Sequence, residues 1–395
     1  MSATQTVTFP PRELSHIEYG HLYTAPCRNA AARPRENTLV IEGEGDIELH
    51  AFQRAVDRAT DANPAVKLKL RERTHTSSWV DSGCAPTARM VESCEWDGKS
   101  ASGSDFIYET TLSATAGTVG EFVIAKTSHS ATFIIFRSLH AMMDGLGCLH
   151  FVRDVFRALN GLDPVGSTVF VSGSELIRRT GAAPHRIDCS RRISRLSDND
   201  DKSCDGDREL WQRLTFKGTS PWLLAKTAAA INEYCHRRSG DTVRIAVPIN
   251  LRRHLAGKQS TMNYATKTYI DMEEQDNPAT FNKKLHAVIA GNREVYAPQQ
   301  RNRFPVRLPP ETITVSDLGH LSRRHFSSDS FTAAHLFGIP LTGSTSCIIS
   351  ALGSASHSAL ESAVNITIGM PETNGNNNYL EEFVRYMENI APPPL

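Results

Sequence analysis

Apolar and polar positions follow two rhythms along this chain, and the rhythms place most of its elements. Leu39-Val40-Ile41 is a continuous apolar run of strand length. Behind Gly45-Asp46, the residues Leu49, Phe52, Ala55, Val56 and Ala59 recur at helical spacing and predict an amphipathic helix through His50–Thr60. Asn63-Pro64 ends it, because the residue before a proline is pushed out of the α region. Val66, Leu68 and Leu70 alternate with Lys67 and Lys69, the pattern of a half-buried strand. Strands are expected at Glu121–Thr127 and Thr132–Leu139. A helix from Leu146 to Leu159 turns Leu149, Val152, Val155 and Phe156 inward and stops at Gly161.

Residues 183–208 mix both charges with little aliphatic material and read as an exposed linker. Beyond it, Ser220-Pro221 reads as an N-cap followed by proline at the first position of a helix over Trp222–His236. Strands follow at Val243–Ile249, Thr266–Asp271, Ser346–Ser350 and Ala363–Ile368, and a last helix at Tyr379–Glu388. The pattern predicts two α/β halves with mixed sheets, residues 1–182 and 209–395.

Composition narrows the function. The chain has 395 residues, with 43 Lys+Arg balanced by 43 Asp+Glu, and is 40% hydrophobic and 22% charged. That is a globular composition, and zero net charge argues against a nucleic-acid partner, which needs a surplus of basic residues on one face. The start, MSATQTVTFPPRELS, lacks a basic segment followed by an apolar one, and no apolar run reaches membrane-spanning length. Eight cysteines are scattered with no C-x-x-C, so neither a metal site nor a disulfide framework is expected, and a reducing cytoplasm is.

The chemistry concentrates in His140-Ala141-Met142-Met143-Asp144-Gly145, where a predicted strand ends and a helix begins. A histidine there is largely neutral at cellular pH and can act as a general base. The aspartate four residues on can brace the loop, and glycine permits a tight turn. At this composition H-x-x-x-D-G arises by chance about 0.05 times. His150 and Asp154 repeat the H-x-x-x-D spacing inside the helix, where such a pair is ordinarily a surface contact. Cys148, also inside that helix, and Cys235-His236, at a helix end without further ligands, read as structural rather than as nucleophiles or ligands.

His140 to Gly145 resembles the H-x-x-x-D-G motif of the condensation-domain-like, CoA-dependent acyltransferase superfamily. That group includes nonribosomal peptide condensation domains, alcohol acetyltransferases and chloramphenicol acetyltransferase. Weaker similarities run in the family's order along nearly the whole chain. Arg12-Glu13-Leu14-Ser15-His16-Ile17-Glu18 is similar to R-x-L-S-x-x-E, and Asn63-Pro64-Ala65-Val66-Lys67 to H-P-x-L-R. Pro248-Ile249-Asn250-Leu251-Arg252 resembles P-x-N-L-R, Thr314-Val315-Ser316-Asp317-Leu318-Gly319 the V-S-N-L-G segment, and Asn263-Tyr264 a channel-lining G-N-[FY].

The resemblance implies two chloramphenicol-acetyltransferase-like subdomains in a V-shaped pseudo-dimer, with His140 midway along a central tunnel. His140 would be the general base, and Asp144 would pair with Arg252 to orient the loop. Ser316 and the amides near Gly145 would be candidates for the oxyanion, and Asn263 for the channel wall. The expected partners are a small-molecule hydroxyl or amine acceptor and an acyl-CoA or acyl carrier protein, with no metal and no permanently bound cofactor. Two departures stand out. Leu139 occupies the place of the first histidine in the H-H-x-x-x-D-G of peptide condensation domains, which favours a free-standing acyltransferase over an amide-forming condensation enzyme. Asp317 replaces the asparagine of S-N-L-G. A non-catalytic binding module of the same fold is the reading from a different class.

Overall fold

The computed structural model describes residues 11–23, 34–72, 77–128, 130–180, 187–196, 209–291, 310–340, 347–356, 362–371 and 377–389. Along the first half run β1 (Arg12–Glu13), α1 (His16–Tyr23), β2 (Glu36–Gly45), α2 (Leu49–Ala62), β3 (Leu68–Glu72), β4 (Ser77–Asp81), β5 (Thr87–Cys94), β6 (Gly120–Thr127), β7 (Ala131–Leu139), α3 (Gly145–Leu159) and α4 (Gly173–Thr180). The second half holds β8 (Glu209–Lys217), α5 (Leu223–His236), β9 (Val243–Asn250), β10 (Ala265–Met272), α6 (Pro278–Ala290) and β11 (Ile313–Ser322). It ends with β12 (Phe331–Ile339), β13 (Ile348–Ala355), β14 (Ala363–Pro371) and α7 (Asn377–Asn389). Of the predicted linker, 183–186 and 197–208 lie outside the described residues, as does Ser346 of a predicted strand.

Three mixed or antiparallel sheets organise these elements. One is five-stranded in the order β12-β2-β7-β6-β5, one six-stranded in the order β10-β9-β11-β13-β14-β8, and one three-stranded in the order β1-β4-β3. The five-stranded sheet is buried on both faces, which is why β7 reads as an unbroken apolar run rather than an alternation. One face packs Phe122, Ile134 and Phe136 against Phe52, Phe151 and Phe156 of α2 and α3. The other packs Val123, Phe133 and Ile135 against Trp96, Trp211 and Phe337. The six-stranded sheet carries a separate core beneath α5, α6 and α7.

β12 joins the two large sheets. It lies late in the chain yet pairs antiparallel with β2, at the edge of the first-half sheet. It also packs against β13 and β14. Leu336 N donates to Ser354 Oγ at 2.9 Å, and Leu336 O accepts from Asn365 Nδ2 at 3.0 Å.

Four local expectations change. Val66 sits in a single 3-10 turn over Pro64–Lys67, so the strand begins only at Leu68. The α5 helix starts after Trp222, whose φ of 61° places it in the left-handed region, and Ser220 Oγ is buried with no hydrogen-bond partner among the described residues, so Ser220 is not the cap. Asp154 is fully buried, not a surface residue. It accepts from Asn63 Nδ2 and from the amides of Val165 and Gly166, each at 2.8 Å, and so pins the loop after α3 onto the end of α2. Gly145 does not adopt a positive φ, so conformational freedom is not what a glycine supplies at that position.

Candidate active site

The turn between β7 and α3 is fixed from several directions. Arg137, fully buried two residues before the end of β7, is forked onto Glu36 at 2.9 and 3.0 Å and reaches Glu121 at 2.9 Å. Buried ion pairs of this kind add little net stability but are costly to break, so they hold the register of β2, β6 and β7 where the strand delivers His140. His140 N then donates to Arg35 O at 2.8 Å.

Asp144 caps α3. Its Oδ1 accepts from Gly147 N at 2.7 Å, and its Oδ2 accepts from both Tyr264 N and Arg252 Nη1 at 2.7 Å. Arg252 is itself oriented by the carbonyls of Ser260 and Met262 and by Asn250 Oδ1. Its guanidinium lies 5.3 Å from the centre of the Tyr264 ring. Charge-assisted bonds to a buried carboxylate are the strong ones, and these tie the turn after β7 to Tyr264 and Arg252.

Asn263 reaches the histidine directly. Its Nδ2 donates to His140 O at 2.7 Å and lies 3.3 Å from His140 Nδ1, while its own amide donates to Met142 O at 2.9 Å. As a whole residue His140 is partly exposed. Burial holds the imidazole below its usual range, with Arg35 and Lys267 pushing the same way, while its own backbone carbonyl and Asp144 oppose. The ring is therefore neutral at ordinary pH.

The remaining candidates are placed less centrally. Ser316 lies in β11, paired with Ser350 of β13, and among the described residues no hydrogen bond joins it to His140. Its neighbour two positions on, Leu318, packs against Gly145: a Cβ there would stand 3.0 Å from Leu318 Cδ2. The amides of Gly147 and Cys148 are committed to Asp144 Oδ1 and Asp144 O, which removes both from the possible oxyanion donors. The Cys148 thiol is buried beside Ser138 Oγ at 3.1 Å, and burial pushes it up to about 12, far from a thiolate. Cys235 is likewise buried and raised to about 12. Among the described residues no three of His, Cys, Asp or Glu gather as a metal site.

Two features escaped the sequence pattern. His21 of α1 stacks on His140, with ring centroids 4.0 Å apart and planes 10° from parallel. Gly147 fits where nothing larger can, since a Cβ would stand 2.1 Å from Thr261 O. Separately, a cavity of about 530 Å³ opens between Val171, Leu176, Arg179, His254, Leu255 and Lys258; its wall is joined to the motif by Tyr264, whose OH donates to Val171 O at 2.8 Å and whose N donates to Asp144 Oδ2.

No protein-family model and no curated protein matches this sequence. Solved structures do. The starter condensation domain of rhizomide synthetase RzmA, a double mutant in complex with C8-CoA and Leu-SNAC, aligns with a TM-score of 0.70 at 14% identity, covering 96% of this chain and 93% of that one. The chain has the condensation-domain fold. The first condensation domain of the CDA synthetase aligns at 0.66 with 13% identity and 91% of each chain covered. The condensation domain of the Monacolin K polyketide synthase MokA aligns at 0.63 with 9% identity and 97% of each covered. At such identities the agreement is one of architecture. No described helix is long and apolar enough to cross a membrane.

Proposed function

We propose that this chain is an acyltransferase that moves an acyl group from a thioester, on CoA or a carrier protein, to a hydroxyl or amine. In this reading residues 1–182 and 209–395 form the two arms of a V around a tunnel, and His140 lies along it. The observation that carries the reading is the neutral ring of His140, held at its carbonyl by Asn263 and on a turn locked by Asp144 and Arg252.

The geometry suits a general base. One Asn263 Nδ2 hydrogen goes to His140 O at 2.7 Å, and Nδ1 lies farther off, at 3.3 Å. The same carbonyl oxygen has a second lone pair for the ring's own Nδ1–H, a contact that favours the protonated ring. With its resting proton on Nδ1, the ring presents the Nε2 lone pair. Nε2 takes the proton of the acceptor O–H or N–H as that atom attacks the thioester carbonyl. The tetrahedral intermediate then expels the thiolate, which receives the proton back from Nε2. The products are an ester or amide and a free thiol, and no resident cofactor is required.

Support for a thioester donor comes from the RzmA condensation domain, whose structure holds C8-CoA and Leu-SNAC. Leu139, fully buried in the place of the first histidine of H-H-x-x-x-D-G, favours transfer to a free acceptor over amide formation between carrier-bound chains. The test offers one acyl chain on CoA and on a carrier protein, with a panel of alcohols and amines, and follows thiol release. Acceptor-dependent release from CoA supports the reading, preference for the carrier protein supports the condensation alternative, and release from neither leaves the binding-module reading.

A further inference from the structure

The opening segment positions one side chain against the motif. Ser15 and Glu18 form a reciprocal cap on α1: Glu18 N donates to Ser15 Oγ at 3.3 Å and Ser15 N to Glu18 Oε2 at 2.8 Å. Arg12 Nη1 adds a 2.9 Å bond to the same carboxylate, which is buried. The helix start is thus fixed at both ends of its capping pair, and three residues after Glu18 comes His21.

His21 lies flat on His140, with centroids 4.0 Å apart and a 10° tilt. Its Nδ1 is buried and, among the described residues, has no hydrogen-bond partner. A buried polar atom left unsatisfied is costly, so packing alone would favour an apolar residue here. The ring plane is what an aliphatic side chain cannot supply. The charged groups facing the pair are Arg35 before β2, Lys267 of β10 and Asp144 of the motif turn, with Lys267 held by Glu311 at 3.0 Å. Both rings are disfavoured as cations, by burial first, and His21 is further lowered by His140.

We propose that His21 is a positioning residue for His140, its ring setting the plane of the neighbouring imidazole and keeping water from that face. This rests on His140 being the general base. His21 makes no proton transfer itself; it restricts the rotation that would turn Nε2 away from the acceptor.

The test compares His21→Ala, which removes the ring, with His21→Phe, which keeps a flat ring and removes both nitrogens. In His21→Ala, kcat falls on the order of tenfold with little change in KM, as for a misoriented base. The acid limb of kcat/KM rises toward the ordinary 6.5, because water reaches the uncovered face of His140. His21→Phe restores both to near wild type. The NMR titration of His140 is followed in parallel and reports the same shift whether or not the correct acceptor is known. It therefore separates failure of this proposal from failure of the proposed function. Should His21→Ala not fold, His21→Leu, apolar but not planar, replaces it. A His140 titration and rate unchanged without the ring, or a phenylalanine variant as impaired as alanine, overturns the proposal.

Discussion

Asp144 and Arg252, 108 positions apart in the chain, meet through a 2.7 Å bond between Oδ2 and Nη1 that ties the turn after β7 to the turn after β9. Both are largely buried, so removing one partner strands the other. Asp144→Ala is expected to destabilise the fold by about 3–5 kcal/mol. In a double-mutant cycle with Arg252→Ala, the two losses should overlap rather than add. Denaturant unfolding of the four proteins measures this, and strict additivity would show that the contact carries no energy of its own.

Glycine substitutions should separate Gly145 and Gly147, two positions apart in the first turn of α3. A Cβ at Gly147 collides with the Thr261 backbone oxygen at 2.1 Å, and backbone cannot easily yield. At Gly145 the nearest atom is the flexible end of Leu318, at 3.0 Å. Gly147→Ala should therefore cost the full overpacking penalty, about 1–3 kcal/mol or more, and Gly145→Ala distinctly less. Thermal unfolding of both variants checks the order, and the reverse order contradicts it.

Asn263 holds the His140 backbone from across the chain, 123 positions away. Asn263→Ala frees that carbonyl and lets the ring drift, and a displacement of about 1 Å at a catalytic group can cost on the order of 100-fold in rate. The expected signature is a fall in kcat with KM nearly constant, read from steady-state kinetics once a substrate pair is in hand. A rise in KM alone would assign Asn263 to substrate binding instead.

Much of this site was legible in the chain, for physical reasons that differ by residue. The elements over 36–62 and 120–159 follow from strand-length apolar runs and from helices of clear period, and the motif sits where such a run meets such a helix. Asp144, Arg252 and Asn263 belong to short segments whose resemblance to a known family pointed to one site, and the structure does bring them together. β12 was invisible because Phe331–Ile339 mixes apolar and polar residues without period, and its pairing with β2 depends on contacts that no local pattern encodes. His21 was invisible for a related reason: nothing in α1 distinguishes a histidine that stacks on another element from one that faces water. The Ser220 cap failed because a serine before a proline describes a helix start only if the chain turns there, and it turns two residues later, at Trp222.

Acid lability should begin at the histidines. His21, His140 and His150 all have pKa values lowered by burial, whereas in the unfolded chain they titrate near 6.5. The unfolded state then binds more protons below that pH, so their contribution is complete above 6.5 and is lost as pH falls below it. Melting temperature should hold between pH 8 and 7 and decline from about 6.5 toward 5, before most carboxylates titrate. A melting temperature that rises across that interval contradicts this assignment.

The central claim is that the His140 ring carries the proton. Single-turnover acyl transfer by His140→Ala, with a thioester donor and an acceptor that the unaltered protein uses, tests it most directly. A loss of about 10²–10⁴-fold is predicted, with folding and donor binding retained. Transfer at the unaltered rate would contradict the account.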